Sequence, residues 1–293
     1  MKITPIRGTH DLFGQQVLKY RAIQDLISHY SKINNFEEII TPIFESTELF
    51  KKPLGENSDV VLKEMYTFKD KNEDLITLRP EYTTPMIRAA ISNNFLEKLP
   101  KKLYGIGPMF RRERPQKGRY RQFNQINFEI LGTHDISADI ELIILANNFL
   151  KNLLPEKKIN LFINSLGDKD TLSNFSASLS NYFEQNKKKL SEESQSKIIS
   201  NPIRILDSKY PEDNEISINA PKISDFYSDE AEEKFSNIQE ILKDMSVDFS
   251  LNINLVRGLD YYCHTVFEFK TSDLGSQDTL IGGGRYDGLT KLL

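Results

Sequence analysis

Residues 107–132, GPMFRRERPQKGRYRQFNQINFEILG, constrain this chain more than any other stretch. Two strand-like runs flank a loop that holds Pro115 and Gly118. In the second run, Phe123, Gln125, Asn127 and Glu129 fall on one strand face, and Asn124, Ile126, Phe128 and Ile130 on the other. In the first, Met109, Arg111 and Glu113 share a face and Phe110 lies opposite. Paired as a hairpin, the runs give one apolar face that can pack on helices. The other face carries Arg111, Glu113, Gln125 and Glu129. Charges are almost never buried unpaired, so that polar face is either wet or the floor of a ligand site. Between Arg111 and Arg121 stand six cations (Arg111, Arg112, Arg114, Lys117, Arg119, Arg121) and one acid, Glu113, in a chain of formal net charge -4. A dense positive loop on an acidic protein points to an anionic ligand.

The remaining composition bounds the class. A chain of 293 residues can form one large domain or two smaller ones. Hydrophobic residues at 39% and charged residues at 27% are ordinary for a soluble globular protein. No apolar run reaches the roughly 18 residues of a membrane span, and MKITPIRGTHDLF lacks the apolar stretch of a signal peptide. The single cysteine, Cys263, excludes an intrachain disulfide and a cysteine-rich zinc site. His10 and His264 fit no ligand spacing, so no protein-held metal is expected. These features point to the cytoplasm. Overall acidity argues against a chain coated in nucleic acid, but not against an RNA contact through one basic loop.

Along the chain, the glycines of RGTHDLFG mark turns, and Asp11 is placed to cap the next element. Apolar residues recurring every three to four positions predict an amphipathic helix over 15–33. FEEIITP (36–42) reads as a strand ended or edged by Pro42. A short helix over 45–54 and a hairpin of 65–68 with 75–79 come next. In LRPEYTTPMIRAAIS, Thr84 and Pro85 are suited to a helix start. Glu81 therefore lies between a strand end and a helix start, as a binding side chain or as a solvated loop residue. A helix is expected over 137–154, with Asp139 and Glu141 in its first turn, and a strand over 159–164. Residues 167–247, rich in Lys, Glu, Ser and Asn, read as an inserted helical module with helices over 171–190 and 229–245. Strands are expected over 249–256, after the turn that opens RGLDYYCHTVFEF (257–269), and, past a loop through Gly275, into the glycine-rich TLIGGGRYDGL (279–289). That glycine run lacks the spacing of a phosphate-binding P-loop.

GPMFRRERPQKGRYRQF resembles the second signature motif of class II aminoacyl-tRNA synthetases, in the form it takes in histidyl-tRNA synthetases. RGLDYY and GGGRYDGL resemble the two motifs peculiar to that family, and NPIRILDSK (201–209) resembles a sequence of its insertion. The resemblance covers essentially the whole chain. It implies activation of L-histidine by ATP, with Mg²⁺, to histidyl-adenylate and pyrophosphate, then transfer to the acceptor end of tRNA(His). The substrate carboxylate is then the nucleophile, which fits a site of arginines and carboxylates without a Ser–His–Asp or Cys–His arrangement. By the same resemblance Arg111 and Arg257 are the catalytic arginines, Arg111 at the α-phosphate and the substrate carboxylate. Glu113, Arg119 and Tyr120 contact ATP. Glu81, Thr83 and Gln125 hold the α-amino group of histidine. Glu129 and Tyr262 read its imidazole, and Tyr286 lines the pocket. Gln116 and Arg121 meet the tRNA acceptor end, although a solvated loop face explains those two equally.

Implied too are an α+β fold, an antiparallel β-sheet flanked by helices with a helical insertion, and a homodimer formed through the helix, strand and proline near the N-terminus. The catalytic core is assigned to 1–166 and 248–293, and the insertion to 167–247. Asn124 stands where the family commonly has His, on the apolar face, and little effect is expected. Tyr82 stands where Gly or Phe is common. The family's third motif and its anticodon-binding domain should follow GGGRYDGL, but the sequence stops at Leu293 before both. We therefore expect a fragment of a longer synthetase, with impaired or absent activity. The competing reading is a non-catalytic, synthetase-like regulatory subunit of histidine biosynthesis. Such a subunit need not keep a full arginine set beside RGLDYY. A generic RNA-binding module would explain neither the polar strand face nor the acidity.

Overall fold

The computed structural model describes residues 3–56, 58–116, 118–274 and 278–293; Lys117 of the basic loop and Gly275 of the late loop lie outside them. The chain packs as two units, Met1–Lys157 with Ser272–Asp278 and Gly288–Leu293, and Lys158–Thr271 with Thr279–Asp287. The strands after residue 158 thus group with the helical segment.

The first unit runs α1 (Gln15–Ile33), β1 (Glu37–Glu38), β2 (Phe44–Ser46), α2 (Glu48–Leu54), β3 (Tyr66–Lys69), β4 (Leu75–Leu78), α3 (Thr83–Ser92), β5 (Lys101–Phe110), β6 (Gln122–Leu131) and α4 (Ser137–Leu153). Helix α1 has the expected extent, but Gly14 stands at its cap with no side-chain hydrogen bond, so Asp11 does not cap it. Strands β5 and β6 pair antiparallel without a register break, from Lys101 opposite Leu131 to Phe110 opposite Gln122. The expected antiparallel sheet is in fact mixed, because β1 joins β5 in parallel. A parallel neighbour needs a long crossover, and the elements β2 to α3 supply it.

Hairpin register fixes which side chains meet. Glu129 lies opposite Leu103, Asn127 opposite Gly105, Gln125 opposite Gly107 and Phe123 opposite Met109. The polar face is covered at the glycines rather than wet. A Cβ on Gly105 would come 2.3 Å from the Tyr82 ring, and one on Gly107 would come 2.2 Å from Arg79 Nη2. The segment before α3 therefore lies directly on bare backbone. On the opposite face Phe128 meets Phe36 edge-on at 5.0 Å and stacks on Tyr104 at 5.8 Å, yet Ile126 stays 37% exposed.

Strands β2, β4 and β3 form a second antiparallel sheet. Its inner side is threonine: Thr47 and Thr67 hydroxyls each lie 2.8 Å from the Thr77 hydroxyl. By register, Phe44, Tyr66, Phe68, Ile76 and Leu78 share the other side, where Phe44 is 56% and Phe68 46% exposed.

The second unit runs β7 (Asn160–Ser165), α5 (Lys169–Gln185), α6 (Glu192–Lys197), α7 (Pro211–Ser217), α8 (Asp229–Asp244), β8 (Ser250–Leu251), β9 (Cys263–Lys270) and β10 (Thr279–Arg285). Its sheet has the order β10-β9-β7-β8 and is also mixed, with β8 parallel to β7 and the helices as crossover. Phe175, Leu179 and Phe183 recur every fourth residue of α5 and are buried among Leu190, Ile198, Ile205, Ile223 and Val266. Strand β8 is shorter than its apolar run suggests. The Asn252 side chain accepts the Asn254 N–H at 3.1 Å and the Asn252 carbonyl accepts the Leu255 N–H at 2.9 Å, an Asx turn that ends pairing.

Candidate active site

The first unit brings together most of the polar side chains anticipated for an amino-acid ligand. Glu129 is 5% exposed, and its Oε1 accepts the Thr83 hydroxyl at 2.7 Å. Asn127 donates to the same hydroxyl oxygen at 3.1 Å and to Glu129 Oε1 at 3.3 Å. Two residues along the same strand face, the Gln125 side-chain oxygen is buried without a hydrogen-bond partner. An acceptor left unmade costs about 1–3 kcal/mol, which an incoming N–H would offset.

Glu81 caps α3. Its two oxygens accept the N–H groups of Thr83 at 2.8 Å and Thr84 at 2.9 Å. The cap is thus not Thr84, because a carboxylate one turn earlier reaches both free donors. Burial raises the Glu81 pKa, with hydrogen bonds from Thr84 and Thr83 and the charge of Arg111 opposing it. Each carboxylate oxygen keeps a further lone pair for a ligand.

Arg111 is steered toward this carboxylate from the end of β5. Its Nε donates to the Pro80 carbonyl at 2.8 Å, and its guanidinium lies 5.5 Å from the Phe123 ring. Downstream, Glu113 Oε2 and Arg119 Nε stand 2.9 Å apart as an ion pair without an aligned hydrogen bond. Glu64 belongs to the same neighbourhood. Burial raises its pKa first and the charge of Glu113 second, while Arg111 and Arg119 lower it. Gln116 and Arg119 close a tight turn through backbone hydrogen bonds of 3.3 and 2.9 Å. The Tyr120 ring lies 4.7 Å from that of His10. Arg7, Arg112, Glu113, Arg114, Pro115 and Arg121 line a cavity of about 340 Å³. Four guanidinium groups against one carboxylate make it an anion site by charge.

The second unit holds the remaining anticipated residues. Arg257 Nη1 pairs with Glu268 Oε1, and its guanidinium lies 5.6 Å from the Tyr262 ring. Tyr261 contacts both neighbouring tyrosines, Tyr262 at 4.7 Å and Tyr286 at 5.7 Å between centroids. Cys263, His264 and Asp287 place ligand-capable atoms within 4.8 Å of one another. By that spacing the three could hold a metal ion, although the sequence spacing of His264 had not marked it as a ligand.

Against this geometry the comparisons with known proteins are specific. Residues 8–293 match the family model described as histidyl-tRNA synthetase. The histidine--tRNA ligase of Ehrlichia canis is 49% identical over 290 residues, which is 99% of this chain and 70% of that protein. The chain belongs to the histidyl-tRNA synthetase family. It is accordingly an aminoacyl-tRNA ligase of class II by descent. Among solved structures of the family, apo histidyl-tRNA synthetase from S. aureus superposes with a TM-score of 0.79 at 34% identity, over 99% of this chain and 68% of that one. A Bacillus halodurans structure titled ATP phosphoribosyltransferase regulatory subunit/histidyl-tRNA synthetase reaches a TM-score of 0.69 at 21% identity over 99% of this chain and 79% of that one, and supports the α+β fold alone.

Of the family residues expected from sequence, Glu81, Thr83, Glu129 and Arg111 are linked by hydrogen bonds or charge in the first unit. Gln125 shares the strand face of Glu129, and Glu113 pairs with Arg119. Tyr120 and Gln116 stand apart, on the exposed loop. Tyr262, Tyr286 and Arg257 gather in the second unit. Sequence reasoning passed over Arg7, Arg79, Asn127 and Glu268. The alternation had put Asn127 on the right face, and its role needed only to be asked. The other three act through residues distant in sequence, and no local pattern marks them.

Proposed function

We propose that this chain carries out ATP-dependent activation of L-histidine and its transfer to tRNA(His). The buried Glu129 carboxylate, joined to Thr83 on a polar sheet face, carries the reading. Neutral imidazole offers one N–H donor and one acceptor. Glu129 accepts the N–H, and the Tyr262 hydroxyl serves the other nitrogen. Glu81, Thr83 and Gln125 supply oxygen acceptors for the α-ammonium group, and Tyr286 walls the pocket.

A histidine carboxylate oxygen attacks the α-phosphorus of ATP, the bond to the β-phosphate oxygen breaks, and pyrophosphate leaves. Arg111 and Arg257 offset the charge that develops on the α-phosphate; a planar fork suits this better than an ammonium group. Glu113, Arg119 and Tyr120 contact the nucleotide. Mg²⁺ bound with ATP would screen the charge of its phosphates. Glu64 and Glu113 are the carboxylates in the first unit that fit it, being hard oxygen donors beside two arginines. A hydroxyl of the tRNA terminus then attacks the histidyl carbonyl and AMP leaves, with Gln116 and Arg121 at the acceptor end. On this reading residues 167–247 are an insertion in a core formed by 1–166 and 248–293, and the protein works in the cytoplasm. No helix of the described residues is long and apolar enough to cross a membrane. A homodimer fits the exposed apolar side chains Ile40, Ile43, Phe44 and Phe68.

The regulatory-subunit reading rests on fold likeness, whereas the ligase reading rests on near-half identity along the chain. Histidine-dependent ATP–pyrophosphate exchange, measured on this chain and on a version extended through the third motif, tests it. Exchange driven by histidine is the expected result in the extended protein. No exchange there, or exchange driven by another amino acid, overturns it.

A further inference from the structure

Arg257 sits in the loop before β9, and loop position alone does not aim a guanidinium. What aims it is the middle of the neighbouring strand. Glu268 of β9 lies opposite Gly282 of β10 and opposite Phe162 of β7, so its side chain shares a sheet face with the Gly282 position. The Arg257 guanidinium occupies the space above Gly282. A Cβ there would lie 2.3 Å from Nη1, 2.5 Å from Nη2 and 2.6 Å from Cζ. A side chain at position 282 would therefore displace the guanidinium.

Glu268 Oε1 takes Arg257 Nη1. Its other oxygen accepts the Thr279 hydroxyl at 3.2 Å and lies 3.2 Å from Lys270 Nζ. The Glu268 side chain is only 12% exposed, so these partners fix it as well as neutralise it. The Tyr262 ring bounds the guanidinium on another side. Arg257 Nε, by contrast, is buried with no hydrogen-bond partner. A buried guanidinium paired with Glu268 and hydrogen-bonded to Tyr262, with its Nε donor left unmade, is prepared for an anionic oxygen.

We propose that Glu268 is the positioning residue for Arg257, and that it acts with Gly282 to hold the guanidinium ready for the α-phosphate. The inference rests on the function proposed above and adds residues to it. Glu268 touches no substrate and works only through Arg257.

A double-mutant cycle on histidine-dependent pyrophosphate exchange, in the version extended through the third motif, tests it. Glu268→Ala should lower kcat by about 10²-fold, the cost of misplacing a catalytic group by about 1 Å, with the KM for histidine within about twofold. Glu268→Gln, which keeps the shape and an acceptor, should recover part of that loss. Gly282→Ala should reproduce it from the other side by occupying the guanidinium's place. Arg257→Ala combined with Glu268→Ala should be no slower than Arg257→Ala alone. Losses that multiply in the double variant, an unaffected Gly282→Ala enzyme, or a raised histidine KM with kcat unchanged would each overturn the assignment. A wild-type enzyme without histidine-dependent exchange would instead fell the proposed function, and this inference with it.

Discussion

At the scale of the residue, Glu129 shows how one side chain's burial decides its chemistry. A carboxylate this enclosed is tolerated because Thr83 and Asn127 hydrogen-bond to it. An imidazole N–H adds a partner that apolar amino acids of similar size do not offer. Replacement by alanine should weaken histidine binding by about 1–3 kcal/mol, or roughly 5- to 150-fold in KM. The KM for ATP should move far less, because the nucleotide contacts are assigned to Arg111, Glu113, Arg119 and Tyr120. Exchange kinetics with each substrate varied in turn will show it, and equal losses for histidine and ATP would remove Glu129 from the pocket. Arg79 is the counter-example. It reads in sequence as a strand-end cation, yet it is 2% exposed. It donates to the Pro108 and Thr41 carbonyls and the Thr41 hydroxyl, each at 2.9 Å, and stacks on Tyr82 at 4.2 Å. Its partners are mostly main-chain oxygens far away in the chain, which no spacing rule reports. Tyr82 is held in the same packing: its hydroxyl reaches the Ile39 carbonyl at 3.2 Å.

At the scale of the element, what repeats was legible and what is held by long-range bonds was not. Helices α1, α4 and α8, the hairpin of β3 with β4, and both strands of the central hairpin follow from periodicity. The parallel strands β1 and β8 follow from crossovers that periodicity cannot see. The helical segment is tied in ways its composition hides. The carboxylate of Asp213, fully buried, accepts the Ser191 N–H and hydroxyl and the Ser194 and Ser208 hydroxyls. Two helix starts are also joined. Asp168 accepts the Thr171 N–H at 2.8 Å to cap α5, and its other oxygen accepts the hydroxyl of Ser228, which itself caps α8. The Ser228 hydroxyl, then the Thr171 N–H, hold the Asp168 pKa at about 2, below its ordinary 3.8. A depressed carboxylate contributes stability above its unfolded pKa and loses it as pH falls through the folded one. Between about pH 4 and pH 2, the wild-type urea midpoint should therefore fall more steeply than that of Asp168→Asn, which cannot titrate. Parallel midpoint curves for the two proteins over that window would show that the joined caps carry no such charge dependence.

At the scale of the whole molecule, the β2-β4-β3 sheet is inside out for a solitary chain. Sheets with one wet face turn their apolar side inward, whereas this one buries threonine hydroxyls and leaves Phe44 and Phe68 to solvent. Ile40 and Ile43, on either side of Thr41 and Pro42, extend the same exposed apolar series in sequence. A contiguous apolar patch is the mark of an interaction surface, and a second copy of this chain is the occupant the proposed homodimer supplies. A two-fold interface uses each residue twice. Burying one phenylalanine is worth about 1.5–3 kcal/mol, so Phe44→Asp should cost the dimer about 3–6 kcal/mol, or more than 100-fold in Kd. The substitution touches a side chain already half in water, so the far-UV circular dichroism of the protomer should hardly change. Sedimentation velocity at micromolar concentration should then find wild type as a dimer and Phe44→Asp as a monomer with native secondary structure. A wild-type protein that sediments as a monomer, or a Phe44→Asp protein that stays dimeric, would place the apolar face outside any contact between copies. The threonine-lined sheet would then need another explanation for its orientation.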